Sequence, residues 1–129
     1  MTFPQPKYNR FYRYPEFTQL LQDFVHAFPD LLAIESIGKS HEGRDIWVLT
    51  ATNQKTGAAA DKPAYWVDAN IHASELAGSA AAMYFIDTLT KNYGKTDARG
   101  KQITRLLDTR AVYICPRMNP DGAECRQPP

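Results

Sequence analysis

The sequence predicts an α/β fold, a mixed β-sheet flanked by helices, and three observations carry that prediction. Phe17, Leu20, Leu21, Phe24, Val25 and Phe28 recur at the spacing that lines one face of a helix. Four short apolar runs, 31–38, 46–51, 64–69 and 111–115, have the length and residue content of strands. Between the third and fourth runs lies a proline-free, alanine-rich stretch, 75–92, with Leu76, Ala80, Met83 and Ile86 or Leu89 at helical spacing. The order helix, strand, strand, strand, helix, helix, strand describes a domain in which helices cover a sheet.

Each element has a local reason. Pro15 suits a first helical turn, where its missing amide hydrogen costs nothing, and Pro29 ends the pattern because it restricts the residue before it. Leu31 to Gly38 and Ile46 to Ala51, joined through the polar turn His41-Glu42-Gly43-Arg44, form a hairpin. A loop, 53–62, leads to Ala64-Tyr65-Trp66-Val67-Asp68-Ala69. The small residues Ala77 to Ala82 let the second helix lie close against a sheet, despite the local cost of Gly78. Residues 93–101 read as a loop and 102–108 as a short helix carrying Ile103, Leu106 and Leu107. Ala111-Val112-Tyr113-Ile114-Cys115 is almost unbroken in apolar character, as in a strand buried on both faces.

A chain of 129 residues is one domain's worth. Residues 1–13 read as an N-terminal extension and 14–129 as the body of the domain. Lys+Arg 15 against Asp+Glu 14 leaves a net charge of +1, without the concentrated basic excess that nucleic acid or an anionic membrane demands. No apolar run has signal-peptide or membrane-spanning length, so the chain is expected to be soluble and cytoplasmic. Two cysteines, Cys115 and Cys125, are too few for a disulfide framework.

Most chemical signatures fail on spacing. Gly38-Lys39-Ser40 lacks the first glycine of a phosphate loop, because Ala33 stands in its place. His41-Glu42 cannot open an H-E-x-x-H helix, since Asp45 occupies the second histidine position and Gly43 breaks the helix. G-x-S-x-G, G-x-G-x-x-G and C-x-x-C are absent. The informative segment is Asp68-Ala69-Asn70-Ile71-His72-Ala73-Ser74-Glu75, where an apolar strand gives way to a helix. His72 and Glu75 are three apart, so on a helical turn they point the same way, and an imidazole nitrogen and a carboxylate can converge on one ion about 2 Å from each. Open α/β sheets bind ligands beyond the carboxyl ends of their strands, where this pair lies. Asn119-Pro120-Asp121-Gly122, after the last strand, fits a tight turn.

Four stretches together resemble the zinc carboxypeptidase family of the carboxypeptidase A and B type. They are Phe28-Pro29-Asp30-Leu31 leading to Ser36-Ile37-Gly38-Lys39-Ser40 and Glu42-Gly43-Arg44; Asn70-Ile71-His72-Ala73-Ser74-Glu75; Leu107-Asp108-Thr109-Arg110; and Pro116-Arg117-Met118-Asn119-Pro120-Asp121-Gly122. They stand in the family's order, over about Tyr14 to Glu124. The resemblance implies a partial zinc-carboxypeptidase-like fold, zinc as cofactor, His72 and Glu75 as two of three metal ligands, and the carboxyl terminus of a peptide or protein as substrate. It also implies a third ligand, a glutamate general base and an oxyanion arginine downstream of the Asn-Pro-Asp-Gly turn.

The chain ends seven residues past Gly122, and neither His26 nor His41 lies beyond His72 to complete the ligand set. Arg126, Arg117 and Arg44 are expected to be structural or exposed rather than catalytic, and the family's frequent arginine between the two ligands is Ser74 here. The expectation is the amino-terminal part of a metallocarboxypeptidase catalytic domain, itself inactive or nearly so, with a sheet edge that invites self-association. Two alternatives stand beside it: a non-catalytic binding module on the same fold, and a related zinc amidase or deacylase that also uses H-x-x-E.

Overall fold

The computed structural model describes residues 3–126; Met1, Thr2 and residues 127–129, the outer ends of the predicted extension and body, lie outside them. In chain order the elements are α1 (Tyr14–Ala27), β1 (Leu32–Lys39), β2 (Asp45–Ala51), β3 (Ala64–Asp68), α2 (Leu76–Asn92), α3 (Ala98–Thr109), β4 (Ala111–Cys115) and α4 (Pro120–Arg126), with two short 3₁₀ turns at 54–56 and 59–61. The four strands form one mixed sheet in the order β1-β2-β4-β3. β1 and β2 make the expected antiparallel hairpin, β2 runs antiparallel to β4, and β3 runs parallel to β4 from Ala64↔Ala111 to Asp68↔Cys115. The sheet and its helices thus have the predicted mixed α/β character.

Apolar periodicity explains the packing. Phe17, Leu21 and Phe24 of α1 are buried with Leu32 of β1, Leu49 and Ala51 of β2, Val112 and Ile114 of β4, and Met83, Ile86, Leu89 and Leu107 of the later helices. One core therefore joins all three long helices to alternate residues of the strands. β4 is central, and four of its five residues are buried. β3 is an edge strand, with Tyr65 and Trp66 exposed. A Cβ on Gly78 would stand 3.4 Å from both the Ala69 Cβ and the Asn70 amide nitrogen, so the small-residue start of α2 does lie close against the end of β3. Residues ahead of α1 pack back onto the domain: Phe3 stacks on Phe28, and the Tyr8 hydroxyl donates to Asp87 Oδ2 at 3.2 Å.

The readings of the sequence at the starts of the last two helices need correction. Residues 98–101, read as loop, are the first turn of α3, because the Asp97 side chain caps the helix by accepting from the Gly100 amide at 2.7 Å. Asn119 to Gly122, read as an isolated tight turn, open α4: Asn119 Oδ1 accepts from the Gly122 amide at 2.9 Å, and its carbonyl accepts from Ala123 at 3.0 Å. A type I turn and the first turn of a helix use similar backbone angles, so the turn residues were right and the continuation was missed.

Phe24 is fully buried at the centre of the core. Phe24→Ala is expected to lower unfolding free energy by about 3–5 kcal/mol, whereas Tyr84→Ala, at an exposed site, is expected to cost much less. Urea denaturation of both variants checks this, and equal losses would contradict the assigned core.

Candidate metal centre

The parallel pairing of β3 with β4 continues past the strands and builds the site. The Ala69 amide donates to the Cys115 carbonyl at 3.1 Å, Met118 N–H to the Ala69 carbonyl at 2.9 Å, and Asn119 N–H to the Asn70 carbonyl at 3.1 Å. The loops after both strands are thereby zipped side by side. The Asn119 carboxamide adds a bond to the Ile71 carbonyl at 3.1 Å. A Cβ on Gly122 would stand 2.7 Å from that of Ala73, so the missing side chain lets α4 approach the turn between His72 and Glu75.

His72 and Glu75 do not sit on a helical turn, as the spacing suggested. They bracket a reverse turn ahead of α2, closed by a Glu75 N–H to His72 carbonyl bond of 3.1 Å, with Glu75 in the position preceding the helix. A separation of three brings side chains together in either geometry. His72 Nδ1 lies 3.0 Å from Glu75 Oε1, and the two side chains are 77% and 55% exposed. Hydrogen bonding from the His72 ring, and more weakly from its backbone amide, holds the Glu75 carboxyl below its ordinary pKa despite some desolvation. An ionised carboxylate only accepts, so Nδ1 carries the shared proton in this pair.

The donor set fits part of a zinc site. Two donors bound to a tetrahedral ion at about 2 Å stand about 3.4 Å apart, close to the separation here, and imidazole nitrogen with carboxylate oxygen is a donor chemistry zinc accepts. Among the described residues no group of three or more His, Cys, Asp or Glu side chains is placed to hold a metal ion, so His72 and Glu75 supply two positions only. His26 and His41 are exposed elsewhere, on the last turn of α1 and in the hairpin turn. Cys115 is buried in β4, and burial pushes its thiol up to about 11.

The remaining motifs surround the site or lie far from it. Asp121 Oδ1 accepts from the Ser40 hydroxyl at 2.7 Å and from Arg44 at 2.7 Å, and Oδ2 accepts from the Glu42 amide at 3.0 Å. Arg44 also pairs with Glu42. The hairpin turn is thus clipped to α4. Arg117, only 5% exposed, has its guanidinium carbon 4.0 Å from the centre of the Phe17 ring and donates to the Tyr12 carbonyl at 3.1 Å. Burial pulls its pKa down to about 10. Asp108 accepts from Tyr93 Oη at 2.7 Å and Asn53 Nδ2 at 2.8 Å. That network bonds the segment after β2 to α3 rather than to the His72 turn. Asn70, Asn119 and Gly122 are the residues whose local roles the sequence did not reveal; the cue was an asparagine at a strand end and another at a helix start.

Architecture and site together define an α/β chain whose candidate metal centre lies beyond the carboxyl ends of β3 and β4. The zinc carboxypeptidase family profile matches residues 17–128, and the chain belongs to that family. Carboxypeptidase A2 of Mus musculus is 35% identical over 115 residues, covering 89% of this chain and 25% of its own length. Carboxypeptidase D of Homo sapiens is 29% identical over 123 residues, covering 95% of this chain and 9% of its own. Among solved structures, thrombin activatable fibrinolysis inhibitor superposes with a TM-score of 0.79 at 29% identity, over 92% of this chain and 28% of that one. Carboxypeptidase A from Helicoverpa armigera gives 0.74 at 26%, over 93% and 27%. The chain spans from 9% to 28% of the length of these relatives.

Burial raises the Asp121 pKa, but the Glu42 amide, the Ser40 hydroxyl and Arg44 outweigh it and hold the carboxyl below its ordinary 3.8. A depressed folded-state value means that the ionised group stabilises the fold above the unfolded pKa, and that this contribution is lost as pH falls through the folded value. Asp121→Asn is expected to cost about 1–3 kcal/mol at pH 7. The difference from the parent should shrink steadily below about pH 4. Urea unfolding across pH checks this; a pH-independent difference contradicts it.

Proposed function

We propose that this chain contributes the first two zinc ligands of a metallocarboxypeptidase domain that hydrolyses the last peptide bond of a peptide or protein substrate. The observation that carries the reading is the 3.0 Å convergence of His72 Nδ1 on Glu75 Oε1 at the mouth of a parallel strand pair, in a chain of the zinc carboxypeptidase family. Bound zinc supplies a Lewis acid that polarises a carbonyl and lowers the pKa of water.

What this chain's own residues do is narrower. His72 would bind through Nδ1 in the neutral tautomer that carries its proton on Nε2. Glu75 offers an anionic oxygen already held in its ionised form. The zipped loops from β3 and β4 tie the backbone ahead of His72 to the sheet, which limits the ordering cost of binding. High exposure of both groups leaves the site open to further protein ligands and substrate. A third ligand, a general base and an oxyanion donor are required for turnover, and removal of a base or an oxyanion donor typically costs factors of about 10² to 10⁴ each.

Two measurements test the proposal. In a zinc titration by calorimetry, the chain is expected to bind weakly, and His72→Ala should weaken binding by at least the roughly tenfold that loss of an outer-sphere partner costs. Stoichiometric tight binding that survives His72→Ala overturns the ligand assignment. For a protein carrying this chain within a complete catalytic domain, peptides with free carboxyl termini are expected to be cleaved and the same peptides with amidated termini spared. Equal cleavage of both would point to amidase or deacylase chemistry instead.

A further inference from the structure

We propose that Asn70 and Asn119 are positioning residues that hold the His72 imidazole against the Glu75 carboxylate in a geometry able to chelate one divalent cation. This rests on the reading of His72 and Glu75 as metal ligands. Asn70 is the middle of the three residues between the end of β3 and the ligand turn. Its φ of 58° is the only positive value at a non-glycine position among the described residues. Left-handed backbone is tolerated by asparagine but suits glycine best, because glycine has no Cβ.

The side chain of Asn70 is as informative as its backbone. The residue is only 3% exposed, and its Oδ1 is buried with no hydrogen-bond partner among the described residues. A buried acceptor without a donor destabilises a fold. A glycine would meet the backbone requirement without that penalty. The compensating contact is made at the other end of the carboxamide, where Nδ2 donates to the His72 carbonyl at 3.0 Å. That same carbonyl accepts the Glu75 amide and closes the turn. The Asn70 side chain thus fixes the one oxygen on which the His72–Glu75 turn is built.

Asn119 acts from the opposite loop. Its amide reaches the Asn70 carbonyl at 3.1 Å and its Nδ2 reaches the Ile71 carbonyl at 3.1 Å, so two consecutive carbonyls ahead of His72 are pinned from one residue. Its Oδ1 caps α4, which links the ligand turn to a helix start. Neither asparagine is within the donor set itself. Both act through the backbone of the residues that are.

The test separates positioning from stability by using variants that keep the fold's requirements. Asn70→Gly keeps the left-handed backbone and removes the carboxamide together with its orphaned oxygen. Asn119→Asp keeps the helix cap and replaces the donor to Ile71 with a carboxylate oxygen that repels that carbonyl. His72 ring resonances are recorded by NMR in the metal-free chain, with the unfolding midpoint measured alongside, and Zn²⁺ alone is then titrated. Asn70→Gly is expected to leave the unfolding midpoint unchanged or raised. At the same time it should shift the His72 ring resonances toward those of an unstructured histidine and weaken zinc binding about tenfold. Asn119→Asp should produce the same shift and a similar loss of affinity.

Native-like His72 resonances with native zinc affinity in both variants overturn the proposal. A fall in stability with the ring resonances unmoved also overturns it, because that is a purely structural role. His72→Ala distinguishes the underlying reading: if it leaves zinc affinity unchanged, the ligand assignment fails. The metal-free ring resonances of the asparagine variants still decide whether the pair is positioned as proposed.

Discussion

The parallel pairing of β3 with β4 is the constraint on which everything else depends. Parallel neighbours cannot be joined by a tight turn, so α2 and α3 must lie between them in sequence, and both strands then point their carboxyl ends the same way. The ladder runs on beyond the strands through Ala69, Met118 and Asn119. Segments far apart in the chain, one carrying His72 and Glu75 and the other Asn119 to Gly122, are brought into register by main-chain bonds. The candidate metal centre is therefore a consequence of sheet topology before any side chain is considered.

Side chains then tune how closely the pieces approach. Gly78 lets α2 meet the end of β3, and Gly122 lets α4 meet Ala73. In both places a methyl group would reach or pass ordinary van der Waals contact, and at Gly122 it would collide. Asp121 holds α4 to the hairpin turn through Ser40, Glu42 and Arg44, so the β1–β2 end of the sheet also braces the site. Arg117, buried against Phe17, bonds the segment before α4 to the chain ahead of α1 and to Ser79 of α2. Rigid support of this kind matters for a site whose two donors are exposed.

Much of this was legible in the sequence, for physical reasons that differ by element. α1, with its apolar stripe from Phe17 to Val25, and β4, with its continuous apolar run, announce themselves because burial selects residues at one period or at every position. His72 and Glu75 were legible as a pair because a spacing of three brings side chains together on a helix and on a reverse turn alike. For the same reason their conformation was not legible. The first turn of α3 was hidden by Asp97 and Gly100, residues that suit a loop as well as a helix cap, and α4 was hidden by a turn motif that is also a helix start. The Arg44–Asp121 pair, 77 residues apart, leaves no local trace at all. Nor does the burial of Asn70, which follows from the approach of α2 and of the loop after β4.

The central claim is that an imidazole nitrogen and a carboxylate oxygen, fixed at the mouth of two parallel strands, form one corner of a zinc site. Anomalous X-ray scattering from crystals of the chain grown with zinc tests it most directly. The account predicts a peak about 2 Å from both His72 Nδ1 and a Glu75 carboxylate oxygen. Zinc bound at His26 or His41, with the His72 and Glu75 side chains turned apart, would contradict it.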